Sequence, residues 1–419
     1  MQKRTHRIAV ILALLVIFTQ ASGQKLVNSP YSRFNLGILE PSLSFRSAGM
    51  GGLAVALRDN SSVSYSNPAS YSSLDTNSFL FDVGLDYTAA FLKDNVSKHF
   101  SDDMNFDHLV IAFPIMKNLG FAAGVTPYSN GYYFISRNIA EGDPEYNPIA
   151  GEVTIAHKGS GGITRAFAGT GITLLPGLSA GANINILFGS INRINETSLS
   201  SDPNFFNSRL EENITLNGFG YSGGLQYVVK LRNKKSFTAG VSYQFSNKYK
   251  SDYNNVFFRY TSYNLPPYSP DTLYKTDITG GTIRLPQTLN AGISFNIEEK
   301  LTAGVEYNVT NWSEATLMGT QALAPKVESF RVGIEYIPDR YSIYSPLERM
   351  EYRLGGYVSD NYLMIGDEQI KEFGITFGIG MLMARSWSKL NLYFDYNSRG
   401  GSLNNGLHRE NCFSLGLSL

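Results

Sequence analysis

Five histidines and one cysteine are the side chains best suited to metal binding or nucleophilic chemistry: His6, His99, His108, His157, His408 and Cys412. None of the histidines has a second His or a Cys at ligand spacing, so no zinc motif is present and no cofactor is expected. Asp102 and Asp103, close to His99, are the one acidic pair that could activate a water. They sit in a stretch that reads as a polar loop, and no second converging group accompanies them, as hydrolysis would require. Gly218-Phe-Gly-Tyr-Ser-Gly223 matches the GxGxxG pattern letter for letter, but it lies inside a strand pattern and opens no helix. It therefore fails as a dinucleotide loop and reads as closely packed strand glycines. A single cysteine cannot make an internal disulfide. The chain reads as a non-enzyme.

Charges of another kind stand out. Glu306, Arg331, Glu335 and Asp395 fall on the polar parity of segments that alternate with period two. In 301–309, Leu301, Ala303, Val305, Tyr307 and Val309 oppose Thr302, Gly304, Glu306 and Asn308. In 237–246, Phe237, Ala239, Val241, Tyr243 and Phe245 oppose Thr238, Gly240, Ser242, Gln244 and Ser246. The last segment sets Phe413, Leu415, Leu417 and Leu419 against Ser414, Gly416 and Ser418. Period two with one apolar face is the mark of a strand.

These strands follow an export signal. Lys3, Arg4 and Arg7 precede the apolar run Ile8 to Phe18, and Ala21-Ser22-Gly23 is a small-residue cleavage site. The run is too short to span a bilayer. Cleavage leaves 32 Lys and Arg against 35 Asp and Glu, a net of −3 that offers nucleic acid no basic face. Strands are expected at 78–92, 104–116, 119–137, 151–173, 178–197, 212–231, 236–259, 274–297, 300–314, 327–337, 351–363, 370–384, 388–400 and 408–419. Their links alternate between short and long. That alternation suits an outer-membrane barrel, with tight periplasmic turns and longer outer loops, and a soluble sandwich has no reason for it. Tyr and Phe, 26 each, suit aromatic girdles. The link 338–350 is too long for a periplasmic turn, and 364–369 is short for an outer loop.

The expected architecture is all-β: a transmembrane antiparallel β-barrel of about 14 strands at 78–419 behind a signal peptide at 1–23, in a Gram-negative outer membrane. The segment 24–77 alternates poorly, carries small residues and Pro, and has short helical possibilities such as Leu53 to Leu57. It is long enough to fold into the lumen as a hatch, and a barrel this wide needs an occupant.

This segment carries a resemblance. Arg46-Ser-Ala-Gly49-Met50-Gly51-Gly52, then Ala54-Val-Ala56, Asp59 and Asn67-Pro68-Ala69, resembles the hatch of the FadL/TodX family of outer-membrane transporters of long-chain fatty acids and hydrocarbons. Arg284-Leu-Pro-Gln-Thr-Leu-Asn-Ala-Gly-Ile-Ser-Phe295 and 301–312, ending Asn311-Trp312, are similar to its late strands. Ser29-Pro-Tyr-Ser-Arg-Phe34 and 352–380 look like the Bacteroidota branch, although Leu419 stands where a terminal Phe is usual.

The resemblance implies passive uptake of hydrophobic molecules through pockets beside the hatch and a lateral gap at the third strand. Pro127 and Gly131 are the gap candidates, since proline must break the ladder there; a plain bulge would satisfy the same residues. Asn67-Pro68-Ala69 would be either the rigid corner between hatch and wall or an ordinary turn. The lumen charges would pair across strands or with Arg46 and Arg58, or else touch a ligand headgroup. Expected partners are outer-membrane lipid and a hydrophobic small molecule. The Bacteroidota branch also includes subunits or shuttles of outer-membrane secretion or assembly complexes, so outer-membrane or periplasmic proteins are the alternative partners.

Overall fold

The computed structural model describes residues 29–76, 78–94, 97–199, 206–261, 271–317, 323–383, 388–401 and 407–419. The signal expected at 1–23 lies outside them. A short strand, β1 (Ile38–Leu39), belongs to the N-terminal segment. The wall consists of β2 (Leu80–Lys93), β3 (Lys98–Met116), β4 (Leu119–Asn130), β5 (Tyr133–Ile139), β6 (Val153–Leu175), β7 (Leu178–Leu199), β8 (Phe206–Lys230), β9 (Lys235–Gln244), β10 (Asn247–Thr261), β11 (Asp271–Leu285), β12 (Gln287–Ile297), β13 (Leu301–Asn311), β14 (Lys326–Tyr336), β15 (Glu351–Ile365), β16 (Glu368–Leu382), β17 (Lys389–Gly400) and β18 (Arg409–Ser418). Neighbours pair antiparallel. The last strand closes on the first, from Arg409 opposite Lys93 to Ser418 opposite Gly84.

Three wall strands are broken in two. Both β4 and β5 lie along β6, both β9 and β10 along β8, and β11 and β12 continue one another against β10 and β9. Counted as wall positions, the barrel has fourteen strands. The single strands expected at 119–137, 236–259 and 274–297 are thus corrected to pairs interrupted at 131–132, at 245–246 and at Pro286, a residue that has no N–H for the ladder. The stretch 93–103, expected as a loop, is mostly strand, because β3 starts at Lys98. Asp102 and Asp103 therefore lie on opposite faces of a strand. Asp102 is exposed and accepts from the Tyr87 hydroxyl at 2.9 Å, so the pair cannot converge.

The alternation turns the wall inside out relative to a soluble protein. On β13, Glu306 is 3% exposed inside while Tyr307 faces outward at 42%. Aromatic rings ladder near one rim (Phe79, Phe113, Phe121) and near the other (Phe91, Phe100, Phe413). Tight turns on the N- and C-terminal side use left-handed backbone at Asn118 and Gly177, where Asn and Gly cost least. That side is periplasmic and the long strands project from the other. The 25 residues of β8 far exceed the ~9–11 that cross a bilayer.

The N-terminal segment runs inside the lumen. A helical turn, α1 (Phe45–Ala48), is capped by the Ser44 hydroxyl, which accepts from Ser47 N. A 3-10 turn (Pro68–Ser73) is capped by Asn67. No helix forms at Leu53 to Leu57, because wall side chains take that backbone's hydrogen bonds instead. The Glu306 carboxylate accepts from Ala54 N and Val55 N, each at 2.8 Å. Gln226 donates to the carbonyls of Val55 and Leu57.

Candidate functional site

The lumen has three levels. At the periplasmic level the inner segment lies against bare wall backbone. A Cβ on Gly181 would sit 2.3 Å from the Pro68 carbonyl carbon, and one on Gly355 would sit 2.2 Å from Gly51 N. Gly171, Gly224, Gly240 and Gly333 meet the same segment at similar range. Glycine is the residue that permits two backbones to approach this closely.

The same level holds a buried ionic cluster. Arg46 clamps Glu335 with two bonds of 2.9 and 2.6 Å and reaches Asp59 at 2.6 Å. Arg353 bonds Glu335 at 2.7 Å and also Glu351. Lys389 and Arg340 complete the cluster on Glu351 at 3.0 and 3.2 Å. Fork geometry of this kind suits guanidinium and carboxylate, and it satisfies charges that would otherwise be costly to bury. Burial pushes the Asp59 carboxyl up, but Arg46 and Lys389 outweigh it and hold the group well below the usual carboxylate range.

Asn67, fully buried, is the knot of the corner. Its oxygen accepts from Ala69 N at 3.1 Å, and its amide donates to the Val55 carbonyl at 2.8 Å and to Leu225 on the wall at 3.2 Å. Pro68 and Ala69 start the 3-10 turn. Gly49, Met50, Gly51 and Gly52 line the opposite wall: Met50 is fully buried, and Gly51 N donates to Thr376 at 2.7 Å. Arg331 donates to the Gly52 carbonyl at 3.0 Å. Glu306, Arg331 and Glu335 thus all hold the inner segment. Arg58 pairs with no wall carboxylate among the described residues; it donates to Gln226, Ser72 and the Ala69 carbonyl.

The middle level is a cavity of about 770 Å³. Its floor is Gly51, Gly52 and Val55, and its lining is shared about evenly between polar and apolar surface. Asp395 faces it, accepting from Tyr357 and Asn397 at 3.0 Å. Arg399 faces it as well, paired with Glu372 at 2.8 Å. Arg165 differs. Its bonds among the described residues go to the Thr126 hydroxyl at 3.1 and 3.2 Å, no carboxylate there pairs with it, and its electrostatic neighbours are Tyr65, Tyr71, Tyr128 and Tyr249.

On one side the cavity meets an interruption of the wall. The ladder between β3 and β4 runs from Met116 opposite Leu119 to Leu109 opposite Val125 and stops. Beyond it, β3 pairs with β2 alone and β5 with β6 alone. Pro127 sits at a register shift against β6, and Gly131 occupies the break between β4 and β5, its N–H donated to the Gly161 carbonyl. In place of β3, the inner segment supplies β4 with a partner: Ile38 pairs with Asn130 and Leu39 with Ser129. Residues 127–130 line the cavity together with Asn105, Phe106 and Asp107 across the break.

Above lies an apolar cap. Tyr31, Leu36 and Ile38 pack with Leu187, Ile191, Leu216, Trp312 and Tyr362. Sequence reading missed this level, whose signal was inward-parity apolar residues such as Leu187 and Ile191 on β7. It also missed Arg353, Glu351 and Arg165, which stand on inward parity like the charges it did find.

Comparison with known proteins gives both likeness and family. The Pseudomonas putida toluene transporter TodX is 16% identical, with 92% of this chain and 98% of that chain covered and a TM-score of 0.58. A Pseudomonas aeruginosa FadL homologue is 12% identical, with 91% and 99% covered and a TM-score of 0.58. The Ralstonia pickettii toluene transporter TbuX is 14% identical, with 93% and 98% covered and a TM-score of 0.55. No curated protein matches in sequence. The model of the BamG family matches residues 1–419. A closed barrel of fourteen strands, apolar outside and occupied within by its own N-terminal segment, is a FadL-type outer-membrane fold, and the chain belongs to the BamG family.

Proposed function

We propose that the barrel takes up hydrophobic molecules bearing an anionic end, such as long-chain fatty acids, passively and without covalent chemistry. The observation that carries this reading is a cavity continuous with the break beside Pro127 and Gly131 and faced by Arg165, a guanidinium with no carboxylate partner among the described residues. A buried cation without a counter-charge is costly, and a carboxylate headgroup would relieve that cost. Of the tyrosines around Arg165, Tyr65 and Tyr128 line the cavity and would present their rings to the start of an alkyl chain. Entry would be sideways, through the unpaired stretch of β3 and β5. The corner at Asn67 and the loop Gly49 to Gly52 would form the floor that a ligand must pass.

The test is purification in mild detergent with mass spectrometry of what co-purifies. Bound lipid that Arg165→Met removes supports uptake. Stoichiometric protein partners with no lipid would sink it.

One observation favours a second reading, a non-transporting subunit or shuttle of an outer-membrane secretion or assembly complex. The periplasmic link 338–350 is ordered by an Asp339 N to Glu348 carbonyl bond and a 3-10 turn at Leu347–Arg349. It still presents Ile343 at 86% and Tyr344 at 97% exposure, side chains of the kind that anchor protein contacts. Arg340 ties this link, through Glu351, Arg353 and Glu335, to Arg46 of the inner segment. The same purification separates the two readings.

A further inference from the structure

The residue next to the last β3–β4 pair is His108. It is 0% exposed, and it stands where the register between β2 and β3 shifts, so Asp107 is an extra residue beside it. Its Nδ1 is 2.6 Å from Asp107 Oδ2, and its Nε2 is 3.2 Å from Asp82 Oδ2, an ion-pair distance without hydrogen-bond alignment. The edge of the Phe45 ring, from α1, packs on the imidazole at 4.9 Å, and the Tyr65 ring lies at 6.3 Å. A Cβ on Gly84 would fall 2.4 Å from its Cε1, so β2 is shaped around this side chain.

A neutral imidazole has one N–H. Donated to Asp107, it leaves the Nε2 lone pair facing the Asp82 carboxylate in a place closed to water. Only the imidazolium presents positive charge to both acids. The groups facing this cluster are Asp82 and Asp86 from β2, Asp107 from β3, Glu40 and Tyr65 from the inner segment, Tyr393 from β17, which packs on Phe45 at 4.6 Å, and, beyond Tyr65, Arg165 from β6. Arg165 reaches Tyr65 and Thr126 but pairs with none of these acids; among the described residues the imidazolium is the positive charge within ion-pair distance of Asp82 and Asp107, and it holds the acids of β2 and β3 together at the fork.

We infer that His108 is a proton-binding site that sets where the wall opens: protonated, it pins β2, β3 and α1 at the fork beside the cavity, and deprotonated, it lets the break extend toward the periplasm. The inference rests on the reading of that break as the entry path. The sign follows from the geometry. The pin is in place while the imidazole carries its proton and is lost as pH rises.

The experiment places spin labels at Met104→Cys on β3 and Ser136→Cys on β5 in a Cys412→Ser background of the full barrel. It measures their separation from about pH 6 to about pH 10, which brackets imidazole titration shifted by neighbouring acids. The expected result is a shift to longer separations with rising pH. His108→Gln should give the longer separations at every pH, and His108→Lys, whose ammonium keeps its charge across most of the range, should stay short. A flat profile with His108 intact overturns the proposal even if neither variant folds, as does a His108→Gln barrel with short separations. Separations that move with pH in a barrel that retains no lipid would leave the pin standing and remove the uptake reading.

Discussion

The periplasmic and middle levels of the lumen are built by opposite rules. Below, Glu335, Glu351 and Asp59 are matched by Arg46, Arg353, Arg340 and Lys389, Arg58 and Arg331 are held by backbone and neutral side-chain acceptors, wall glycines admit the inner segment to backbone contact, and Arg46 binds Glu335 through two nitrogens of its guanidinium. Above, Arg165 has a threonine hydroxyl for company, two strands run without pairing each other, and 770 Å³ stands open. Fully compensated charge at close packing makes a fixed part; uncompensated charge beside space makes a place for something else to bind. The inner segment spans both levels. It is bolted at Asn67 and Arg46, and it is attached at Ile38 and Leu39 by two residues of strand.

Substitutions should separate the two levels. Gly355→Leu should have the largest effect, because its side chain needs space held by Gly51 backbone; the expected outcome is loss of the heat-resistant folded band on electrophoresis. Glu335→Ala leaves each of two buried guanidinium groups with one carboxylate, Asp59 for Arg46 and Glu351 for Arg353, and should cost about 3 kcal/mol, read as a lower temperature of heat modification. Asn67→Ala removes a cap and a wall bond at about 1–2 kcal/mol. It should lower ligand passage in a cell uptake assay while the heat-resistant band persists; a lost band would make the corner purely structural. Arg165→Met should leave the band unmoved and weaken retention of a fatty acid roughly tenfold, equivalent to about 1.4 kcal/mol, in a detergent binding assay. A fall in stability there instead of in retention would erase the contrast between levels.

Acid should have the smallest effect. Burial raises the Asp59 carboxyl, but the two cations beside it set it lower than in an unfolded chain. Its contribution is therefore present above the unfolded carboxylate value of about 3.9 and is lost only as pH falls through the lower folded value. Heat modification should not shift between about pH 8 and about pH 5 on its account.

Most of the wall was legible because period two is a direct imprint of a sheet with lipid on one side and polar lumen on the other. Most strand ends came within about three residues, but β3 and β8 each start six residues before the expected 104 and 212; Glu306, Arg331 and Asp395 line the lumen cavity and Glu335 is buried beneath it. The break at Pro286 was readable in principle from the missing N–H, but the apolar alternation carried through it. His108 was passed over because a bulge puts it and Asp107 at odds with the parity around them. Partners were the least legible. Parity places Glu335 in the lumen, but only the folded chain brings Arg46 to it from 289 residues away.

The first and last wall strands close the barrel, and Ser29 donates to Glu410 on the last of them at 2.6 Å. That seam sets the order of assembly. The inner segment is the earliest part of the folded chain, yet the wall that encloses it is completed by the latest. Joining Lys93 to Arg409 closes a loop of more than 300 residues, a contact whose entropic cost is met before it stabilises anything. Until it forms, the sheet has two bare edges and the inner segment lies against an unclosed wall. A chain cut short before Arg409 would lack that closing pair and leave the inner segment in an open trough.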